Sequence, residues 1–177
     1  MQQFAAFIMD ITGSRQYATE ERNRLQDRLV RCSQILNDAF ASLQAKAVDF
    51  SGGDEVQGLF FDVFGAYLYY RLLEIFMLPY PTRSGIGTGV WDTRVTAKGT
   101  AAQDGPAYHT AREAIETAHR LKTQSVCLVT RDAADIGLNL LTNASVTLKS
   151  GLSPAQLGIL RRMEIRYPFD YAGMIRV

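Results

Sequence analysis

Histidine and cysteine are scarce in this chain, two of each in 177 residues, so there is no zinc cluster or disulfide framework to argue for. Nor do they build a Ser-His-Asp arrangement, and hydrolase chemistry of that type is not indicated. Net charge is nearly absent, +1 overall, so nothing draws the chain generally to nucleic acid or to an anionic membrane. No run reaches the roughly 20 apolar residues that a membrane span needs. Asp10 interrupts the first apolar stretch too early for a signal peptide. These absences predict a reduced, cytoplasmic protein in which Cys32 and Cys127 are buried thiols.

What is present is an ordinary globular composition, 47% hydrophobic and 21% charged, in a length that supports one proper core. Phe4–Met9 is an apolar run without helical spacing, bounded by Thr12, Gly13 and Ser14, and reads as a buried strand. Thr19 is placed to cap a long helix with Glu20 and Glu21 in its first turn. Leu25, Leu29, Cys32, Leu36, Phe40 and Leu43 give that helix its packed face. Lys46–Phe50 and Val56–Phe61 flank a Gly52-Gly53 turn and read as a hairpin. Asp62 is expected to cap a helix running to about Leu78, apolar almost all round and therefore buried or part of a subunit interface.

Thr82–Trp91 reads as a strand with Gly85, Gly87 and Gly89 in alternation, so a helix, a ligand or another chain must approach its bare face. Asp92–Asp104 is expected to be an exposed excursion. Pro106 opens a helix, Val126–Val129 is a further buried strand, and Asp132–Leu141 a further helix. Ser153-Pro154 starts a last helix to about Ile165.

That order predicts an α+β fold of the ferredoxin-like type, a sheet covered on one face by helices. The organisation expected is a palm over residues 1–150 and a helical extension over 151–177. In this topology the first strand is central and the hairpin begins beside it. Asp10, where the first strand meets a glycine-bearing turn, and Asp54, at the hairpin tip, then face one point. Two carboxylates beside a flexible backbone turn suit a divalent metal carrying a phosphorylated ligand.

The blocks MDITGSR, SGGDEVQGLF, GIGTGV and DGPAYHTAREAI, in that order around the long helix, resemble the SatD family of bacterial proteins. That family is similar in turn to class III nucleotidyl cyclases and to GGDEF diguanylate cyclases. The resemblance covers about Phe4 to Leu121. It implies a nucleoside triphosphate as ligand, Mg²⁺ or Mn²⁺ as cofactor, and a homodimer with the ligand between palms. It places Asp10, Ile11, Asp54 and Glu55 around the metal. Ile11, Thr12, Gly13, Ser14, Arg15 and Gly53 would lie around the phosphates. His109 takes the position of a helix asparagine of the cyclases. Arg112 stands one residue earlier than their transition-state arginine. The adenine-selecting lysine of the cyclases has no counterpart, and Val56 replaces a phenylalanine of the GGDEF pattern. The cyclic nucleotide product this likeness implies has an alternative in a non-catalytic, nucleotide-sensing module.

Plainer readings stand beside these. Asp10 also suits a turn cap, and Asp54 and Glu55 suit ordinary hairpin-tip positions. Beside Asp54 on a strand, Glu55 is expected to face the opposite side, where it pairs with a positive group or helps a second metal. Arg112 is either a phosphate ligand or a partner of Asp104 or Glu116. For dimerisation, the alternating glycines and the apolar Phe64–Leu78 helix are the expected surfaces. The helix from Ser153 looks like the start of a helix-turn-helix.

Overall fold

Alternation along β1 (Phe4–Ile11) sends Ala5, Phe7, Met9 and Ile11 to one side of the sheet and Ala6 and Ile8 to the other. Both rows are buried, as a central strand requires. The computed structural model describes residues 2–91, 104–122 and 125–166, without the side chains of 165 and 166. The expected excursion at 92–103 therefore lies outside the described residues.

The remaining elements follow in the predicted order: α1 (Thr19–Phe40), β2 (Gln44–Gly52), β3 (Glu55–Phe60), α2 (Val63–Met77) and β4 (Thr82–Gly89). After them come α3 (Pro106–Arg120), β5 (Val126–Val129), α4 (Asp135–Ser150) and α5 (Pro154–Arg166). The five strands form one sheet in the order β2-β3-β1-β4-β5. Only β4 and β5 are parallel to each other, joined by the α3 crossover. No helix among the described residues is long and apolar enough to cross a membrane.

Helices α1 and α2 cover the face that carries Phe7 and Met9, with Tyr69 and Phe60 filling the space between. Asp62 caps α2 as expected, accepting from the Gly65 amide at 2.8 Å. The other end of α2 has no basic residue of its own. Arg28 of α1 donates to the carbonyls of Phe76 and Leu78, and Arg161 of α5 to those of Ile75 and Leu78. Cys127 is buried and Cys32 half-buried, and burial raises both thiols.

Several expectations need correcting. Thr19 is the first helical residue, while Ala18 holds the cap position and no side chain caps the helix. Leu43 lies past the end of α1, in the turn to β2, and packs on the same core from there. The fourth helix starts three residues later than expected and runs nine residues further, to Ser150. The second face of the sheet is not open, because α3 lies on it. Gly85, Gly87 and Gly89 admit the α3 backbone: a Cβ on Gly87 would sit 2.1 Å from the Ala111 amide nitrogen. Gly87→Ala therefore forces strand and helix apart and is expected to lose at least about 1–3 kcal/mol, read as a lower urea midpoint.

Both surfaces expected to pair subunits are thus occupied within the chain. The glycine face carries α3. The apolar α2 is covered by the sheet, α1 and α5, with Arg71 paired to Glu164 and Lys149 of α4 paired to Glu74. The helix that looked like the start of a DNA reader is α5, and its inner side is spent on α2.

The free edge of β5 is closed in an unusual way. Asp135, Asn139 and Asn143 stand at four-residue intervals on α4 and act as a surrogate strand. Asn143 accepts from the amides of Ser125 and Val126 at 2.7 and 3.2 Å, and donates to the Val126 carbonyl at 2.7 Å. Asn139 accepts from the Leu128 amide at 2.7 Å and donates to its carbonyl at 2.9 Å. Asp135 takes the amides of Thr130 and Arg131 at 2.8 and 3.0 Å. The polar side of α4 therefore faces the protein.

Candidate functional site

Asp10 continues the row of Ala6 and Ile8, so its side chain emerges on the face that α3 covers. In register beside it are Glu55 on β3 and Arg83 on β4. Paired residues of adjacent strands share a face, so Glu55, Asp10 and Arg83 form one row across three strands. Helix α3 crosses above this row with Arg112 and His119, seven residues apart and on one helical side.

The contacts are specific. His119 Nε2 lies 2.9 Å from Asp10 Oδ2, and Arg83 Nη1 lies 2.8 Å from His119 Nδ1. Arg112 grips Glu55 with both terminal nitrogens, Nη2 donating to Oε1 at 2.8 Å. Ser51 donates to the same oxygen at 2.7 Å. The expectation that Glu55 faces away is thus corrected: it shares the face of Asp10, because β3 pairs it directly with that residue on β1. It does pair with a positive group, as one of the two alternatives had it.

The two carboxylates differ electrostatically. Burial raises the Asp10 carboxyl above its ordinary range, His119 and Arg83 oppose that, and the charge of Asp54 adds to the rise. Asp10 Oδ1 is buried and has no hydrogen-bond partner. Burial also acts to raise Glu55. There the hydrogen bonds of Arg112 and Ser51 and the charge of Arg112 win, leaving it below its ordinary range.

Asp54 lies in the hairpin turn just before β3. Gly52 and Gly53 precede it with φ of 147° and 64°, a backbone that favours glycine. Gln26 of α1 donates to the Gly53 carbonyl, so the long helix steadies the turn. Asp54 is near enough for its charge to act on Asp10.

In the turn after β1, two of the residues expected around the phosphates have their backbone engaged within the chain. Ile11 is a buried sheet residue in register with Thr82. The Thr12 amide already donates to the Pro81 carbonyl at 2.9 Å. Gly13 has φ of 70° and opens a single turn of 3₁₀ helix over Ser14–Gln16. In that turn Ser14 is buried and Arg15 exposed. His109 is not brought to the carboxylates. It sits ten residues before His119, about 15 Å along the α3 axis, and contacts Asp104 at 2.6 Å. Arg112 does reach the site, through Glu55 instead of Asp104.

Sequence reasoning missed Ser51, Arg83 and His119. A signal for Arg83 existed, because it shares the alternation of Gly85, Gly87 and Gly89 and so the α3 face. His119 was legible only as the i+7 companion of Arg112. Among the described residues, no group of three or more His, Cys, Asp or Glu side chains is arranged to hold a metal unaided.

A sequence model of the SatD family matches residues 4–167. Comparison with curated protein sequences finds no match. Among solved structures, one of a bacterial light-regulated adenylyl cyclase aligns over 71% of this chain and 42% of its own, with 14% identity and a TM-score of 0.50. Another of a bacterial light-regulated adenylyl cyclase aligns over 71% and 74%, with 16% identity and a TM-score of 0.49. The adenylyl cyclase CyaB from P. aeruginosa aligns over 68% and 80%, with 15% identity and a TM-score of 0.47. At such identities a likeness speaks to fold alone, and the palm fold of the first is the one this chain shares.

Proposed function

The chain belongs to the SatD family, and from that premise we propose that it binds a nucleoside triphosphate with a divalent cation held by Asp10 and Asp54. The observation that carries this reading is the orphaned Oδ1 of Asp10, a buried carboxylate oxygen beside a second carboxylate. The donor set fits Mg²⁺ or Mn²⁺, which take one or two carboxylates and complete their shell with water and phosphate. When bound, the cation would supply charge neutralisation for the triphosphate.

The chain's own groups do the rest. Gly13, Ser14 and Arg15 receive phosphate oxygens at the end of β1. Glu55 holds Arg112 over the site and gives it up to a phosphate. The supported reaction is attack of a ribose hydroxyl on the α-phosphorus. One P–O bond forms, the bond to pyrophosphate breaks, and the hydroxyl proton leaves to water. The product is a cyclic nucleotide. One buried and one half-buried free thiol suit the cytoplasm, where the substrate is abundant.

A second reading has its own observation. Arg112 is already clamped by Glu55, and His109 already contacts Asp104. A palm with both of these α3 groups engaged would bind a nucleotide without turning it over, as a sensor. Incubation with each of the four nucleoside triphosphates and Mn²⁺, followed by chromatography, separates the two. Pyrophosphate with a new nucleotide peak is expected for the enzyme. Binding without either, lost in Asp54→Asn, is expected for the sensor. Absence of both binding and turnover would overturn the proposal.

A further inference from the structure

We propose that the outward face of α4 is a self-association surface on which a second copy of this chain docks. The helix is inverted. Its row Asp135, Asn139, Asn143 is turned inward onto the β5 edge. Its large apolar side chains are therefore left outside: Ile136 is 82% exposed, Leu140 71%, Leu141 69% and Leu148 77%. Among the described residues nothing covers them.

Four large side chains this exposed make an apolar patch on the order of 500 Å², a size that marks interaction sites. Two such patches face to face reach the roughly 1,000 Å² that a specific interface needs. No formal charge lies between Asp135 and Lys149, and both of those are engaged inward, with Thr130 and Glu74. An uncharged apolar face is matched by another of its kind, since pairing desolvates no ion. It also lacks the lysine and arginine border by which amphipathic helices lie on membranes.

The spacing is self-complementary. Ile136, Leu140, Ala144 and Leu148 form one ridge of four-residue steps. An antiparallel two-fold crossing sets Leu140 against Ala144 of the second copy, the large side chain over the small one. The same crossing sets Ile136 against Leu148 of the second copy, so one patch serves both subunits. Asp10 lies on β1, two strands in from β5. Docking through α4 leaves the carboxylate site free, and this inference does not rest on the nucleotide reading.

Sedimentation velocity on the full chain tests it. The unmodified protein is expected to sediment as a pair, not as a single 19.7 kDa chain. Leu140→Glu and, separately, Leu148→Glu are expected to weaken pairing about a hundredfold, as loss of an interface anchor does, with the single chain still folded by circular dichroism. Ile35→Glu, on the exposed side of α1, is expected to leave the pair intact. A single chain at every concentration overturns the proposal, with or without flotation on lipid vesicles. So does a pair that survives both α4 substitutions.

Discussion

Asp10→Asn is expected to leave the metal-free protein melting at or above the wild-type temperature while abolishing its stabilisation by Mg²⁺ and nucleotide. The sign follows from the raised Asp10 carboxyl. A group whose folded pKa lies above its ordinary value, 3.8 here, contributes stability that is fully present below that value. That contribution is lost as pH rises through the folded pKa. At neutral pH the wild type therefore carries a buried carboxylate at a net electrostatic cost, and the amide relieves it. Ligand at a hundred times its dissociation constant adds about 2.7 kcal/mol. In a chain of this size that is a rise in melting temperature of roughly 5–10 °C. Thermal unfolding with and without Mg²⁺ and triphosphate checks both halves. A variant that melts well below the wild type would make Asp10 a structural residue.

The second large effect lies far from the site. Glu74 and Lys149 form an ion pair between α2 and α4, and the side chain of Glu74 is only 3% exposed. Burial raises the Glu74 carboxyl, Lys149 opposes the rise, and one Glu74 oxygen has no partner. Lys149→Met leaves that carboxyl buried without its counter-charge and is expected to lose about 3–5 kcal/mol. Without Lys149 the Glu74 pKa climbs further. The deficit should therefore shrink as pH falls towards and below the ordinary value of 4.5, beneath which glutamic acid is neutral in both states. Glu74→Gln together with Lys149→Met should recover most of the loss. Urea unfolding of the wild type and the two variants at two pH values decides the matter; a deficit independent of pH would assign it to lost packing of the lysine stem.

Much of this architecture was legible because local signals agreed. The apolar run of Phe4–Met9, the Gly52-Gly53 turn and the Asp62 cap each specify an element whose type does not depend on its neighbours. The alternating glycines predicted a close approach, and α3 supplies it. Orientation was harder to read. Asp54 and Glu55 are adjacent, and the register of β3 against β1 alone decides which of them stands opposite Asp10. His119 enters the site only once α3 is laid across β4, and Arg83 only once β4 pairs with β1, both of them long-range events. In α4 the two stripes were present in the sequence, polar at 135, 139 and 143 and apolar at 136, 140 and 148. An amphipathic pattern by itself assumes that the apolar stripe faces in. The open edge of β5 reverses that choice, because its backbone groups need partners.

Binding of Mn²⁺ to the full chain, followed by electron paramagnetic resonance during titration with a nucleoside triphosphate, addresses the shared cation itself. The account predicts one bound ion per chain, tightened by triphosphate and lost in both Asp10→Asn and Asp54→Asn. Occupancy that persists in either variant, or no bound ion at all, would contradict it.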